Sequence, residues 1–231
     1  DRGANLHKKM RCWQKPKFDP VDFRRKGNTA EAVYRVGDFA TVTMKYVLSP
    51  DGTLQITETL SDIKEETPDM FRFGIEFSLP GEYDSIEFFG AGPWENYCDR
   101  KSSASIGLYR QSVADQYHYG YIRPQESGTH CELRKFDILD KSGSGLRFTC
   151  PDGVFSASAL PFHRKTFDTS IIGAKGRHSL ELRPDGETHI NVDAAQMGLG
   201  CVNSWKATPR PEYMLKAQDR SVTFTITPII K

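Results

Sequence analysis

Met70-Phe71-Arg72-Phe73-Gly74-Ile75-Glu76-Phe77-Ser78-Leu79, closed by Pro80-Gly81, alternates apolar and polar residues along its whole length. Phe71, Phe73, Ile75, Phe77 and Leu79 fall on one side, and Arg72, Glu76 and Ser78 fall on the other. Successive side chains of a strand point to opposite faces, so this pattern predicts a strand with one buried face. Pro80-Gly81 ends it, because proline removes a ladder donor and glycine suits a turn.

The same period runs outward in both directions. In Ala40 to Leu48, Val42, Met44, Tyr46 and Leu48 share a face; Ser49-Pro50-Asp51-Gly52 is a turn tetrad, and Leu54, Ile56 and Leu60 align beyond it, which predicts a hairpin. Further strands are predicted near Ile86 to Phe89, His130 to Leu139, Leu146 to Cys150, Val154 to Leu160, Ser179 to Leu182, His189 to Ala194 and Val222 to Pro228. The apolar phase slips between Cys131-Leu133 and Phe136-Ile138, so a β-bulge is expected near Arg134 or Lys135. Lys101 to Tyr119 reads as a long irregular loop with at most a helical turn. Lys8 to Lys26, containing Arg24-Arg25-Lys26, is the least strand-like stretch and reads as a solvated loop face. About ten short strands without alternating helices point to an all-β antiparallel sandwich.

Composition agrees with a globular chain. It has 231 residues, 38% hydrophobic and 26% charged, long enough to bury a sizeable core without metal or disulfide staples. Thirty-one Lys and Arg stand against 30 Asp and Glu, and no basic run makes a phosphate-tracking stripe, so nucleic acid is not expected as a partner. No apolar run approaches a membrane span, so no membrane association is expected, and the start shows no signal-peptide pattern, which says nothing about where a parent chain travels. The compartment stays open between cytoplasm and periplasm. Cys12, Cys98, Cys131, Cys150 and Cys201 are far apart and outside any zinc spacing; they read as small buried hydrophobes.

Three loop segments carry residues that a sandwich alone does not need. The first is Gly90-Ala91-Gly92-Pro93-Trp94-Glu95-Asn96-Tyr97-Cys98-Asp99-Arg100, where carboxylates, an amide, a guanidinium and aromatics gather between glycines. It can form a buried hydrogen-bonded network or a polar ligand pocket. The second, Tyr117 to His130, has three tyrosines in five residues and suits either a sugar surface or a protein interface. His118 and His130 lack metal spacing and read as ordinary polar loop residues. The third, Asp193 to Trp205, runs from a strand through Gly198 and Gly200 to a Trp. Gly198 and Gly200 suit a close backbone approach, whereas a dinucleotide fingerprint would need a third glycine and a helix. From the residues alone, a core Trp205 is the plainer reading. No carboxylate pair, Ser-His-Asp order, P-loop or H-E-x-x-H motif assigns catalysis to this chain.

At these loops the sequence resembles a known family. Phe89-Gly90-Ala91-Gly92-Pro93-Trp94-Glu95-Asn96-Tyr97-Cys98-Asp99-Arg100, Tyr121-Ile122-Arg123-Pro124-Gln125-Glu126-Ser127-Gly128, and Gln196-Met197-Gly198-Leu199-Gly200 with Ser204-Trp205 look like the C-terminal, small-chain domain of glycoside hydrolase family 2 β-galactosidases. Order and spacing match over almost the whole chain. The resemblance implies a large antiparallel β-sandwich of the supersandwich, galactose-mutarotase-like type. Residues 1–231 would form that single domain, a C-terminal fragment of a longer multidomain chain.

It further implies a retaining parent enzyme acting on terminal β-D-galactosides. The catalytic glutamates and main metal sites would lie in an upstream (β/α)₈ barrel, so no catalytic residue, metal or cofactor is expected in this domain. A divalent cation is left open for the parent. The implied partners are a β-galactoside or galactose and the upstream barrel. Trp205 would form an aromatic wall beside the sugar, with Asn203 in the same turn, while Glu95, Asn96, Tyr97, Asp99, Arg100, Gln125 and Glu126 form a loop network. Two departures stand out: Cys98 replaces the usual proline, and Gly200-Cys201-Val202-Asn203-Ser204-Trp205 replaces Gly-Gly-Asp-Asp-Ser-Trp, which changes the polar groups of the sugar turn. Asp1-Arg2-Gly3 looks like the tail of the Asp-Asn-Asp-x-Gly motif, so the sandwich is expected to lack its first strands. The alternatives are a carbohydrate-binding or mutarotase-like module and a structural domain that supports the barrel.

Overall fold

A computed structural model describes residues 4–122, 124–167, 178–200, 203 and 207–231. Two short helices, α1 (Leu6–Lys9) and α2 (Arg11–Gln14), precede the first strand. The first hairpins are built from β1 (Phe18–Lys26), β2 (Thr29–Val36), β3 (Ala40–Leu48) and β4 (Leu54–Ser61). Then follow β5 (Arg72–Pro80), β6 (Ser85–Gly92), β7 (Ser105–Ser112), β8 (His130–Leu133) and β9 (Lys135–Leu139). The last are β10 (Gly145–Thr149), β11 (Phe155–Leu160), β12 (Glu187–Gln196) and β13 (Arg220–Ile229).

All pairings are antiparallel. Among the described residues, nine strands form one sheet in the order β1-β2-β3-β4-β13-β10-β9-β6-β7, and four form a second in the order β5-β12-β11-β8. The chain is therefore all-β, an antiparallel sandwich.

The two sheets share one core. Ile86, Phe88, Phe136, Ile138, Phe148 and Phe224 of the large sheet are 0% exposed, as are Leu133, Ala157, Ile190 and Val192 of the small one. Phe77 and Phe148 meet across the layers with ring centroids 5.5 Å apart. Each fully buried large apolar side chain contributes about 1.5–3 kcal/mol relative to exposure. Phe73 on β5 is buried, whereas Ile75, Phe77 and Leu79 are half-buried. β5 is the edge of the small sheet, so Ile75, Phe77 and Leu79 pack against the core on one side and border a crevice on the other.

That crevice, about 760 Å³, arises because four strands cannot cover nine. It is lined by Tyr34, Met44, Tyr46 and Ile56 of the large sheet and by Ile75 and Phe77 of β5. Glu58 also lines it, and burial, with a smaller push from Asp193, raises its carboxyl to about 8.

Four local expectations need correction. The phase slip at Arg134 is a change of sheet: β8 belongs to the small sheet and β9 to the large one, so the chain crosses the core there and the inward parity resets. A register shift does occur, but earlier, between the β8–β11 partners, where Glu132 has φ +53°. Lys101 to Tyr119 contains β7, an edge strand paired with β6 throughout. Its Ile106 and Leu108 are exposed and Gly107 between them carries no side chain, so no buried apolar face marks the strand in the sequence. Ser179 to Leu182 is a 3₁₀ turn (Ser179–Glu181), in which His178 N–H donates to Glu181 Oε2 at 2.6 Å and Glu181 N–H donates to the His178 carbonyl at 2.9 Å. Finally, Lys17 to Lys26 is mostly strand. It is solvated because β1 is an edge strand, whose charges are a usual protection against edge pairing.

Candidate functional site

The loop after β6 is organised by its amide. Asn96 is 1% exposed, and its Nδ2 donates to the carbonyls of Ala91 and Trp94, both at 2.9 Å. Its Oδ1 accepts the Cys131 N–H at 2.9 Å, and its own N–H donates to the Thr129 carbonyl at 2.7 Å. All polar atoms of this buried side chain are thus used, which ties the loop to the start of β8.

Glu95 performs the same task for the tyrosine loop. Its Oε2 accepts the Gly128 N–H at 2.8 Å, the Ser127 hydroxyl at 3.1 Å and the Tyr97 hydroxyl at 3.2 Å. Its Oε1 accepts Arg100 Nη2 at 2.9 Å and the Tyr121 hydroxyl, which Arg100 also contacts. Burial pushes the Tyr97 phenol well above its ordinary range, and the nearby Glu126 and Glu95 carboxylates push it further. Tyr97 therefore serves as a donor throughout the physiological range.

Asp99 reaches the third segment. Its Oδ1 accepts the Leu199 N–H at 3.0 Å and its Oδ2 accepts the Gly200 N–H at 2.8 Å. A Cβ on Gly198 would lie 2.6 Å from Asp99 Oδ2 and 2.9 Å from Tyr213 Cβ, so only glycine fits under this carboxylate. Gly200 has φ +69°, the left-handed turn that glycine accepts at low cost. Cys98, the departure from proline, donates its thiol to the Gln196 carbonyl at 3.4 Å, so both residues tie the loop to the end of β12.

A buried ionic chain lies beside this hub. Arg72 of β5 donates Nη1 to Asp193 Oδ2 and Nη2 to Glu126 Oε2, both at 2.8 Å. Arg164 adds a contact from Nη1 to the same Glu126 oxygen at 3.3 Å. Burial would depress the Arg72 guanidinium, but Asp193 and Glu126 outweigh it and hold the group in its charged form. Burial lowers Arg164 from its ordinary value. No sequence pattern marks Arg72 or Arg164 as a site residue. Arg72 occupies a polar position of the β5 alternation, the pattern of a solvent-facing residue, and the covering loops bury it.

The three segments therefore converge. Glu95, Tyr97 and Arg100 are bonded together, Asn96 and Asp99 each bond the backbone of a neighbouring segment, and Glu126 bonds Arg72 and Arg164 instead. Gln125 stays outside: it is exposed, because the chain turns after buried Pro124 so that Glu126 points inward and its neighbour outward. Asn203 is exposed, and Trp205 lies outside the described residues.

The tyrosines divide by role. Tyr117 is buried against Phe162 and Phe167 and meets the exposed Tyr119 ring edge-on at 4.7 Å, whereas Tyr121 belongs to the Glu95 hub. His130 also departs from the loop reading: it opens β8, is 1% exposed, bonds Gln116 Oε1 at 2.7 Å and packs on Phe88 at 4.3 Å. Burial depresses its imidazole to about 4. Among the described residues no group of three or more His, Cys, Asp or Glu is placed to hold a metal ion, and Cys12, Cys98, Cys131 and Cys150 are unbridged.

A family model described as the β-galactosidase small chain matches residues 3–226. A β-galactosidase of Halalkalibacterium halodurans is 32% identical over 84% of this chain and 19% of its own length. One of Streptococcus thermophilus is 32% identical over 81% and 18%, and one of Priestia megaterium 28% over 99% and 22%. The chain thus spans about a fifth of the length of these relatives. Among solved structures, a galactose mutarotase related enzyme from Lactobacillus acidophilus aligns over 93% of this chain and 71% of its own, at 9% identity and a TM-score of 0.44.

Proposed function

The chain belongs to the β-galactosidase small-chain family, and we propose from this that it is the C-terminal sandwich of a retaining glycoside hydrolase family 2 β-galactosidase. The parent hydrolyses terminal, non-reducing β-D-galactosides. This domain completes the substrate pocket, while the acid and nucleophile glutamates, with any divalent cation, belong to an upstream barrel. Trp205 supplies an apolar wall for the C–H face of the galactosyl ring, and Asn203 offers an amide to its hydroxyls. The observation that carries this reading is the convergence of three family motifs on one turn. The Glu95 to Arg100 loop binds the tyrosine loop through Glu95 and the glycine turn before Asn203 and Trp205 through Asp99.

The test is kinetic. The full-length polypeptide is assayed with a chromogenic aryl β-galactoside, and the anomer released is followed by NMR. Hydrolysis with retention is expected, and Trp205→Ala is expected to raise KM by about tenfold, the scale of one buried aromatic contact. The isolated chain is expected to leave the galactoside intact. Turnover by the isolated chain would place the chemistry in this domain and overturn the assignment.

A second reading is favoured by the apolar crevice beside β5, about 760 Å³ in volume. A domain whose main task is to pack against the rest of the parent would present such a face. Under that reading, Trp205→Ala leaves KM unchanged while separation of the domain from its parent lowers the stability of both parts.

A further inference from the structure

We propose that the free edge of β5 takes one further strand, supplied by a part of the parent polypeptide outside these 231 residues, which lies in the apolar crevice and closes the core. The proposal rests on the reading above only in that the chain is one domain of a longer polypeptide; it spans about a fifth of its relatives' length. Among the described residues, β12 is the one strand paired with β5. Gly81 N–H donates to the Gly186 carbonyl and Met197 N–H to the Phe71 carbonyl, both at 2.9 Å, so the odd-numbered residues of β5 exchange their backbone bonds with β12. Gly74, Glu76 and Ser78 turn their N–H and C=O the other way. On that side Met70, of the same parity, already bonds the Leu215 carbonyl at 2.8 Å, an isolated bridge just before the strand.

Sheet edges are ordinarily blunted against pairing. β1 carries Pro20, a register shift beside it and the pair Arg24–Asp22 at 2.7 Å. β8 has only four residues, and β7 has its inner face closed, with Tyr109 packed on Phe88 at 5.2 Å. β5 has nine residues, no lysine, and no proline before its last position, and an open apolar space lies beside it.

The shape of that space selects the occupant. β5 lies over β13 and β10, since the Arg220 guanidinium sits 5.7 Å from the Phe73 ring and Phe148 sits 5.5 Å from Phe77. The large sheet then runs on through β4 to β3, β2 and β1, and Tyr34, Met44 and Tyr46 of this overhang line the crevice. Three strand spacings amount to about 14 Å. Two copies paired edge to edge through β5 would drive these overhangs into each other, so a second copy does not fit, whereas a single strand does. One end of the overhang is already covered by α2, whose Trp13 meets Phe39 at 4.9 Å and donates to the Pro68 carbonyl at 2.8 Å. The remaining part, beside Gly74 to Leu79, calls for alternate apolar side chains facing inward. It also calls for one inward donor, because Glu58 Oε2 is buried there without a hydrogen-bond partner. Addition of a strand to a sheet edge supplies all of these at once: backbone bonds to β5 and alternate side chains to the crevice.

The experiment has two readouts in the full-length polypeptide. Hydrogen exchange of the unmodified protein, resolved to single amides by mass spectrometry, is expected to show the Gly74, Glu76 and Ser78 amides protected at least about hundredfold relative to an open chain. A free edge would leave them unprotected while their odd-numbered neighbours stay slow. Photo-crosslinking from Tyr46→p-benzoyl-phenylalanine, with the product mapped by peptide mass spectrometry, is expected to join the crevice to a segment of the same polypeptide outside the 231 residues. Rapid exchange at the three amides overturns the proposal whatever the crosslink. Slow exchange with crosslinks only to a second copy, to another protein or to nothing beyond the 231 residues overturns the assigned source, and the proposal with it. Neither readout involves galactoside hydrolysis, so failure of the enzymatic assignment and failure of this proposal are told apart.

Discussion

Arg72 Nη1 lies 2.8 Å from Asp193 Oδ2 across the β5–β12 pair, and the Asp193 side chain is only 2% exposed. The same guanidinium reaches Glu126 Oε2 at 2.8 Å, so one arginine joins the small sheet to the tyrosine loop. A charge pair this deep adds little net stability against an apolar substitute, but breaking it leaves a charge without compensation.

Arg72→Ala is therefore expected to destabilise the fold by about 3–5 kcal/mol, more than a surface arginine would. Urea unfolding followed by circular dichroism reads this directly. A loss below about 1 kcal/mol, the scale of an exposed pair, would show that Asp193 and Glu126 find other partners.

Glu95→Gln removes the charge shared by Arg100, Tyr97, Ser127 and Gly128. An amide retains one acceptor, so the expected loss is about 1.5–3 kcal/mol, against about 0.5–1.5 kcal/mol for Tyr97→Phe, which deletes one neutral donor. The order of the two melting temperatures checks it, and equal losses would contradict the hub.

Burial raises the Glu58 carboxyl from 4.5 to about 8. The folded chain then holds a proton that the unfolded chain has released, so stability is full below about pH 4.5 and falls as pH rises toward 8. The cost is on the order of a few kcal/mol at pH 8.5. His130 acts in the opposite sense: its imidazole is depressed to about 4, so its contribution is present above 6.5 and lost as pH falls through that window. Unfolding free energies of Glu58→Gln at pH 6 and pH 8.5 should be nearly equal where the parent chain loses stability. A parallel decline in both proteins would remove Glu58 as the cause.

Phe148 is 0% exposed and packs on Phe77 across the sheets. Phe148→Ala should cost about 3–5 kcal/mol through lost burial and the cavity left behind. Phe77→Ala, beside the open crevice, should cost less, because that side of the core is not closely packed. Chemical denaturation of both variants compares them, and equal losses would mean that the crevice is filled in solution.

Strand periodicity was readable wherever a strand had one buried and one solvated face. Met70 to Leu79 and the hairpin of β3 and β4 were legible for that reason. It failed for β7, whose apolar Ile106 and Leu108 face solvent, and at Arg134, where a change of sheet resembles a bulge because both shift parity by one residue. The candidate site followed the same rule. Glu95, Asn96 and Asp99 stood out as polar residues crowded between glycines, whereas Arg72 looked like any outward strand residue.

By itself, the sequence determined the all-β class, the positions of most strands and the three loops that carry the polar residues. These follow from local periodicity and turn chemistry, which act between neighbours in the chain. Only the tertiary structure decided that Asp99 meets Leu199 and Gly200 a hundred residues away, that Arg72 is buried between Asp193 and Glu126, and that Gln125 stays outside. Such partners are chosen by sheet order and by which loops close over a sheet face, and no local pattern encodes that choice, because the same polar residue satisfies itself with water until a neighbouring loop removes it.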